Sequence, residues 1–86
     1  MEPVSECLRE YWLAALGGSI PIEDDTDYFE AGGHSFMATM IISRINSTYE
    51  INLPLRVLFD NPLFADFVAA TTAAVEEVHG KDASVN

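Results

Sequence analysis

The chain predicts an all-α fold, a small helical bundle of three main helices and one short helix with a long first loop. Three observations carry this. Apolar residues recur at three- and four-residue spacing in three separate stretches. Helix start and stop signals bracket those stretches. Strand-like alternation of useful length is missing, as are internal repeats. The 86 residues make one small domain whose core is only marginally sufficient, so efficient packing or a partner is required. A hydrophobic content of 49% argues for a globular core rather than disorder.

Val4, Leu8, Tyr11, Trp12, Ala15 and Leu16 share one face, which Cys7 joins, and predict a first helix over 4–16 ended by Gly17-Gly18. Arg9 and Glu10 fall on the opposite, wet side. Residues 18–34 follow as a loop long enough to suggest a function. Ile20, Ile22 and Phe29 are expected to pin it to the core, with Glu23, Asp24, Asp25, Asp27 and Glu30 in water. These acids lack the alternating ligands and terminal Glu of a calcium loop, so no metal site is expected.

A second helix is expected over 35–49. Ala38, Ile41, Ile42, Ile45 and Tyr49 form its core face; Phe36 and Met40 project elsewhere, and Met37 is intermediate. Arg44 is the only charge between positions 36 and 49, which leaves an apolar strip that suits either the long loop or a docking partner. Ile51 and Leu53 make a short extended connection. Pro54 suits a first helical position, with one or two turns over 55–60, where Leu58 and Phe59 are expected in the core. Asn61-Pro62 repeats that start signal as N-cap and first turn. Leu63, Phe67, Ala70, Thr71, Ala74, Val75 and Val78 trace a last helix to about 78, stopped by Gly80. Residues 81–86 read as a disordered polar tail, leaving 1–80 as the domain.

Fourteen acids against four bases give a formal charge of −10, which excludes a cationic nucleic-acid surface. The acidity fits solubility, and equally steering toward electropositive proteins. No apolar run approaches the ~20 residues that span a bilayer, and no basic segment precedes an apolar run as a secretory signal would. The single Cys7 excludes an internal disulfide and is expected as a buried reduced thiol, in keeping with the cytoplasm.

The chemistry concentrates at Ser35, which Gly32-Gly33-His34 deliver to the start of the second helix. Four roles compete. Ser35 can be an N-cap and nothing more. It can be a hydrolytic nucleophile, but His34 is its immediate neighbour and ill placed as a base, His79 is distant in sequence, and the Gly-x-Ser-x-Gly elbow is missing. It can be a phosphorylation site, though no basic recognition sequence surrounds it and the acidic loop would repel the new charge. Or it can anchor a prosthetic group through a phosphodiester. Its hydroxyl would lie on an open turn, glycines would clear the approach, and the helix N-terminus would favour the phosphate.

Tyr28-Phe29-Glu30-Ala31-Gly32-Gly33-His34-Ser35 resembles the signature around the phosphopantetheine-bearing serine of peptidyl carrier proteins, the thiolation domains of nonribosomal peptide synthesis. Ile51-Asn52-Leu53-Pro54-Leu55-Arg56-Val57-Leu58-Phe59-Asp60-Asn61-Pro62 resembles the segment leading through their short third helix. The likeness runs from about residue 4 to 78 and implies a four-helix bundle like that of acyl carrier proteins. It further implies a non-catalytic carrier with 4′-phosphopantetheine from coenzyme A on Ser35, set in the Gly32, Gly33 and His34 motif. The arm would be attached by a phosphopantetheinyl transferase using magnesium, loaded by an adenylation enzyme, and unloaded by condensation, tailoring or thioesterase enzymes. Partner contacts are expected at Phe36, Met37, Met40, Arg56 and Val57, with the carrier a monomer. Two positions depart from the pattern: the family commonly has leucine where Phe36 stands, and phenylalanine where Tyr28 stands, the latter a mild change. Fatty-acid and polyketide carriers usually read Asp-Ser-Leu with acids along the second helix; His34 and the acid-free second helix favour the peptidyl type. Met1, the polar tail and the charge suit a free-standing carrier, although a domain of a larger synthetase would read much the same.

Overall fold

The computed structural model describes residues 3–18 and 21–80; the expectations for Ile20 and for residues 81–86 lie outside them. Four helices follow in order: α1 (Val4–Ala15), α2 (Ser35–Tyr49), α3 (Arg56–Asp60) and α4 (Phe64–His79). Helix α1 packs against both α2 and α4, and α3 rests on α4. Among the described residues, extended pairing is confined to one antiparallel bridge between Asp27 and Leu63. No helix of the described residues is long and apolar enough to cross a membrane.

The core is built around Trp12, which is fully buried and meets Tyr28, Phe64 and Phe67 at ring-centroid distances of 5.5, 5.0 and 5.8 Å. The edge-on contacts with Tyr28 and Phe64 add about 0.5–1.5 kcal/mol each beyond the burial itself. Val4 and Leu8 of α1, with Ala38, Ile41, Ile42 and Ile45 of α2, complete the face between those helices, as their spacing predicts.

Other positions depart from the helical-face expectation, and tertiary contacts explain each. Arg9 is half-buried rather than wet. Its Nε donates to the Ile22 carbonyl at 3.0 Å while its guanidinium lies 5.3 Å from the Phe64 ring centroid, so it ties the first loop to α1 and α4. Cys7 is half-buried, at the edge of the α1 face. Phe29 is 44% exposed and Phe59 37% exposed; they stack on each other at 5.7 Å instead of entering the core. The loop is therefore pinned to α3 from outside.

Helix α4 begins at Phe64, not at Asn61-Pro62. The long loop supplies the cap: the Phe64 amide donates to the Thr26 carbonyl and the Ala65 amide to the Asp24 carbonyl, each at 2.9 Å. Those are amides a helix start leaves without internal partners. Leu63 is held extended by its bridge to Asp27 and is exposed, and Pro62 offers its carbonyl to the Tyr28 amide at 2.8 Å. Asn61 closes α3 instead, its amide side chain donating to the Val57 carbonyl. Phe64 thereby takes the core position, and Val78 at the far end stands exposed.

The return from α2 to α3 is held by one side chain. Asn46 accepts from the Leu53 amide at 2.8 Å and donates to the Leu53 carbonyl at 3.2 Å, standing in for a strand partner. Glu50 ends α2 with φ 55° and ψ 52°, a left-handed conformation in which a side chain is strained.

Candidate functional site

Ser35 is the first residue of α2 and is exposed. The N-cap position belongs to His34, which is extended and makes no side-chain cap hydrogen bond. Ser35 therefore is not the cap that sequence alone allowed. Its carbonyl accepts from the Thr39 hydroxyl at 3.0 Å, while its own hydroxyl is left to face solvent. The first helical bond runs from the Ala38 amide to the His34 carbonyl, so the amides of residues 35–37 have no partner within the helix. An exposed hydroxyl beside open amides and the positive end of a 15-residue helix is suited to carry a phosphate ester.

The turn that delivers Ser35 is tied at several points. Asp27 Oδ1 accepts from the Phe29 and Glu30 amides at 2.9 and 3.1 Å, which stops the side chain from competing elsewhere and folds the chain back. The Ala31 amide donates to the Asp27 carbonyl and the Gly33 amide to the Tyr28 carbonyl, both at 2.9 Å. Gly32 has φ 102°, a conformation open to glycine and strained for other residues. Gly33 lies against the face of Tyr28 so closely that a Cβ there would overlap the ring.

Tyr28 itself is fully buried, yet its hydroxyl donates to the His34 carbonyl at 2.7 Å. Burial pushes the phenol above its ordinary pKa, so it stays protonated as the donor to the His34 carbonyl. Tyrosine in place of phenylalanine is thus more than the mild change the sequence suggests. The signal that could have found it is that a hydroxyl on a core aromatic must have a partner.

The surface around Ser35 is apolar. Phe36 is 71% exposed and Met40 52%, with Met37 half-buried between them. Arg44, the lone charge of α2, is drawn aside, its guanidinium 4.7 Å from the Tyr11 ring centroid. Arg56 and Val57 open α3. They line a groove of about 480 Å³ with Ile51, Leu53 and the α4 residues Ala74 and Val78, while Met40 lines a separate cleft of about 80 Å³ between α1 and α2. Neither histidine makes a hydrogen bond to Ser35 among the described residues, and His79 is bonded through Nε2 to the Tyr49 carbonyl at the opposite end of α2. Among the described residues no cluster of His, Cys, Asp and Glu could hold a metal ion.

The profile of the family described as "Phosphopantetheine attachment site" matches residues 6–71. The chain is 34% identical over 80 residues to a component of the linear gramicidin synthase of Brevibacillus parabrevis, a match covering 92% of this chain and 1% of the relative. It is 36% identical over 73 residues to phosphinothricin tripeptide synthetase PhsC of Streptomyces viridochromogenes, covering 85% of this chain and 7% of the relative. The chain thus spans only a small part of the length of these curated relatives. Among solved structures, it superimposes with a TM-score of 0.71 and 31% identity on a chain from the complex of the phosphopantetheine transferase Sfp with coenzyme A and a peptidyl carrier protein, covering 85% of this chain and 94% of that one.

Proposed function

The chain belongs to the phosphopantetheine-attachment family and is a carrier rather than an enzyme; from that premise we propose that Ser35 is the attachment point and that the cargo is an aminoacyl or peptidyl group. The observation that carries this reading is the state of the Ser35 hydroxyl, which is exposed at the start of α2 and takes no part in capping it.

Attachment joins Ser35 Oγ to the pantetheine-side phosphorus of coenzyme A. The pyrophosphate bond to the adenosine side breaks, 3′,5′-adenosine bisphosphate leaves, and the serine proton passes to a base on the transferase. The arm, once in place, supplies a terminal thiol that holds cargo as a thioester. The carrier's own contribution is geometric. Its turn presents Oγ, its open amides and helix dipole favour the phosphodiester, and Gly32, beside which a side chain would meet only open space, keeps bulk away from the approach, while Gly33 makes room for the Tyr28 ring instead.

Phosphopantetheinyl transferase, adenylation and condensation, tailoring or thioesterase enzymes are the proposed visitors. Phe36, Met37 and Met40 form the surface nearest the arm, and Arg56 and Val57 offer a second contact on the α3 side. Such contacts have to be weak, since a carrier must leave each enzyme it meets. The carrier acts as a monomer, and its need for coenzyme A and activated amino acids puts it in the cytoplasm.

Intact-mass spectrometry after incubation with coenzyme A, magnesium and a promiscuous transferase tests this. Wild type should gain one 4′-phosphopantetheine and Ser35→Ala none, with the two circular dichroism spectra alike. An unmodified wild type, or a modified Ser35→Ala, would overturn the assignment.

A further inference from the structure

We propose that Tyr28 is a positioning residue for arm attachment: its phenol locks the peptide plane that leads into Ser35, so that the hydroxyl is held ready for transfer. This rests on the carrier reading above and adds a residue to it.

The lock is visible in three contacts. The His34 carbonyl accepts two hydrogen bonds, from the Tyr28 hydroxyl at 2.7 Å and from the Ala38 amide at 3.0 Å. That carbonyl carbon is bonded directly to the Ser35 nitrogen, so fixing the oxygen from two directions fixes the plane on which the Ser35 Cα is set. The ring bearing the phenol cannot drift. It is fully buried, packs edge-on to Trp12, and is covered by Gly33, whose amide donates to the Tyr28 carbonyl at 2.9 Å. Residue 28 is therefore tied to residues 33 and 34 at once.

Other devices for holding this end of α2 are weak. The N-cap side chain makes no cap bond, the first turn carries no acid, and Gly32 precedes it in a conformation that only glycine adopts freely. Phenylalanine at position 28 would keep the ring and its packing but lose the donor. A freed peptide plane would let Oγ sample more orientations, which lowers the fraction poised for in-line attack without altering the exposed surface at Phe36 and Met40.

Transfer kinetics on the full chain, with coenzyme A, magnesium and a promiscuous transferase, test the proposal. Tyr28→Phe should lower kcat about fivefold, the size set by one ordinary hydrogen bond, with KM for the carrier unchanged. Tyr28→4-aminophenylalanine, which restores an N–H donor, should recover most of the rate. Tyr28→4-fluorophenylalanine, which fills the space but cannot donate, should remain slow. Amide exchange at residues 35–38 should quicken in the slow variants while residues 41–45 keep their protection. Four results would overturn the proposal: an unchanged kcat in Tyr28→Phe, a change confined to KM, equal rates for the amino and fluoro variants, or a rate loss that merely tracks the unfolded fraction. A wild type that acquires no arm would instead defeat the carrier reading, so the two failures are told apart.

Discussion

Replacing Gly33 with alanine drives a methyl group into the outer end of the Tyr28 ring, at the Cε and Cζ atoms. Gly33 does not have a positive φ, so the backbone tolerates a side chain there and the whole cost comes from the clash. Restoring contact at ~3.5 Å requires the ring to retreat by roughly 1 Å. Trp12 stands behind it at 5.5 Å between centroids, and the Tyr28 hydroxyl would be drawn off the His34 carbonyl. Overpacking a closed core costs about 1–3 kcal/mol, and the lost hydrogen bond about 1 more. Gly33→Ala should therefore destabilise by about 2–4 kcal/mol, a large share of what a domain of this size has. In a Tyr28→Phe background the bond is already absent, so the same substitution should cost about 1–3 kcal/mol. Gly32→Ala provides the contrast: a Cβ there meets nothing, its penalty of about 1–2 kcal/mol comes from φ 102°, and it should be the same in both backgrounds. Urea unfolding followed by Trp12 fluorescence, checked against circular dichroism for two-state behaviour, measures all three. The reasoning fails if Gly33→Ala stays within about 0.5 kcal/mol of wild type, or if Gly32→Ala depends on Tyr28 as strongly as Gly33→Ala does.

The buried phenol also makes stability depend on alkaline pH. Its folded pKa lies above the unfolded value of 10.0, so the folded chain holds the proton longer and stability is full below pH 10 and falls as pH rises beyond it; urea midpoints from about pH 8 to 11 should show this slope in wild type and a shallower one in Tyr28→Phe. Glu50 adopts left-handed backbone at the end of α2, so Glu50→Gly should stabilise by about 0.5–1 kcal/mol, or roughly 4–8 °C in Tm per kcal/mol, as a thermal melt would record. Phe36 contributes little to the core because it is mostly exposed, so Phe36→Ala should leave stability within about 0.5 kcal/mol while raising KM for the transferase with kcat nearly constant. That pattern is the reverse of the one expected for Tyr28→Phe.

Four helices in this order, and Ser35 at the start of the second, follow from local chemistry alone. Periodicity marks the α2 face at Ala38, Ile41, Ile42 and Ile45, and each of those residues is buried. Gly32-Gly33-His34-Ser35 places the hydroxyl because turn residues and a helix start act over a few positions of chain. The loop that leads there obeys different physics. Asp24 and Thr26 cap α4 from far back along the chain, which overrides the local start signal in Asn61-Pro62. Arg9 holds Ile22, and Phe29 finds Phe59, by contacts that no spacing in the sequence encodes. The bond from Tyr28 to the His34 carbonyl spans only six residues, yet it too depends on the fold, because the ring that bears the phenol is buried against Trp12. Period and punctuation are properties of neighbouring residues, so the order of amino acids suffices to set out the helices and to point to Ser35 as the proposed attachment residue. The clamp on the turn before Ser35 is another matter: it exists because packing of the Tyr28 ring brings its phenol to 2.7 Å from the His34 carbonyl, a distance at which hydrogen bonds form and which is reached only in the folded chain.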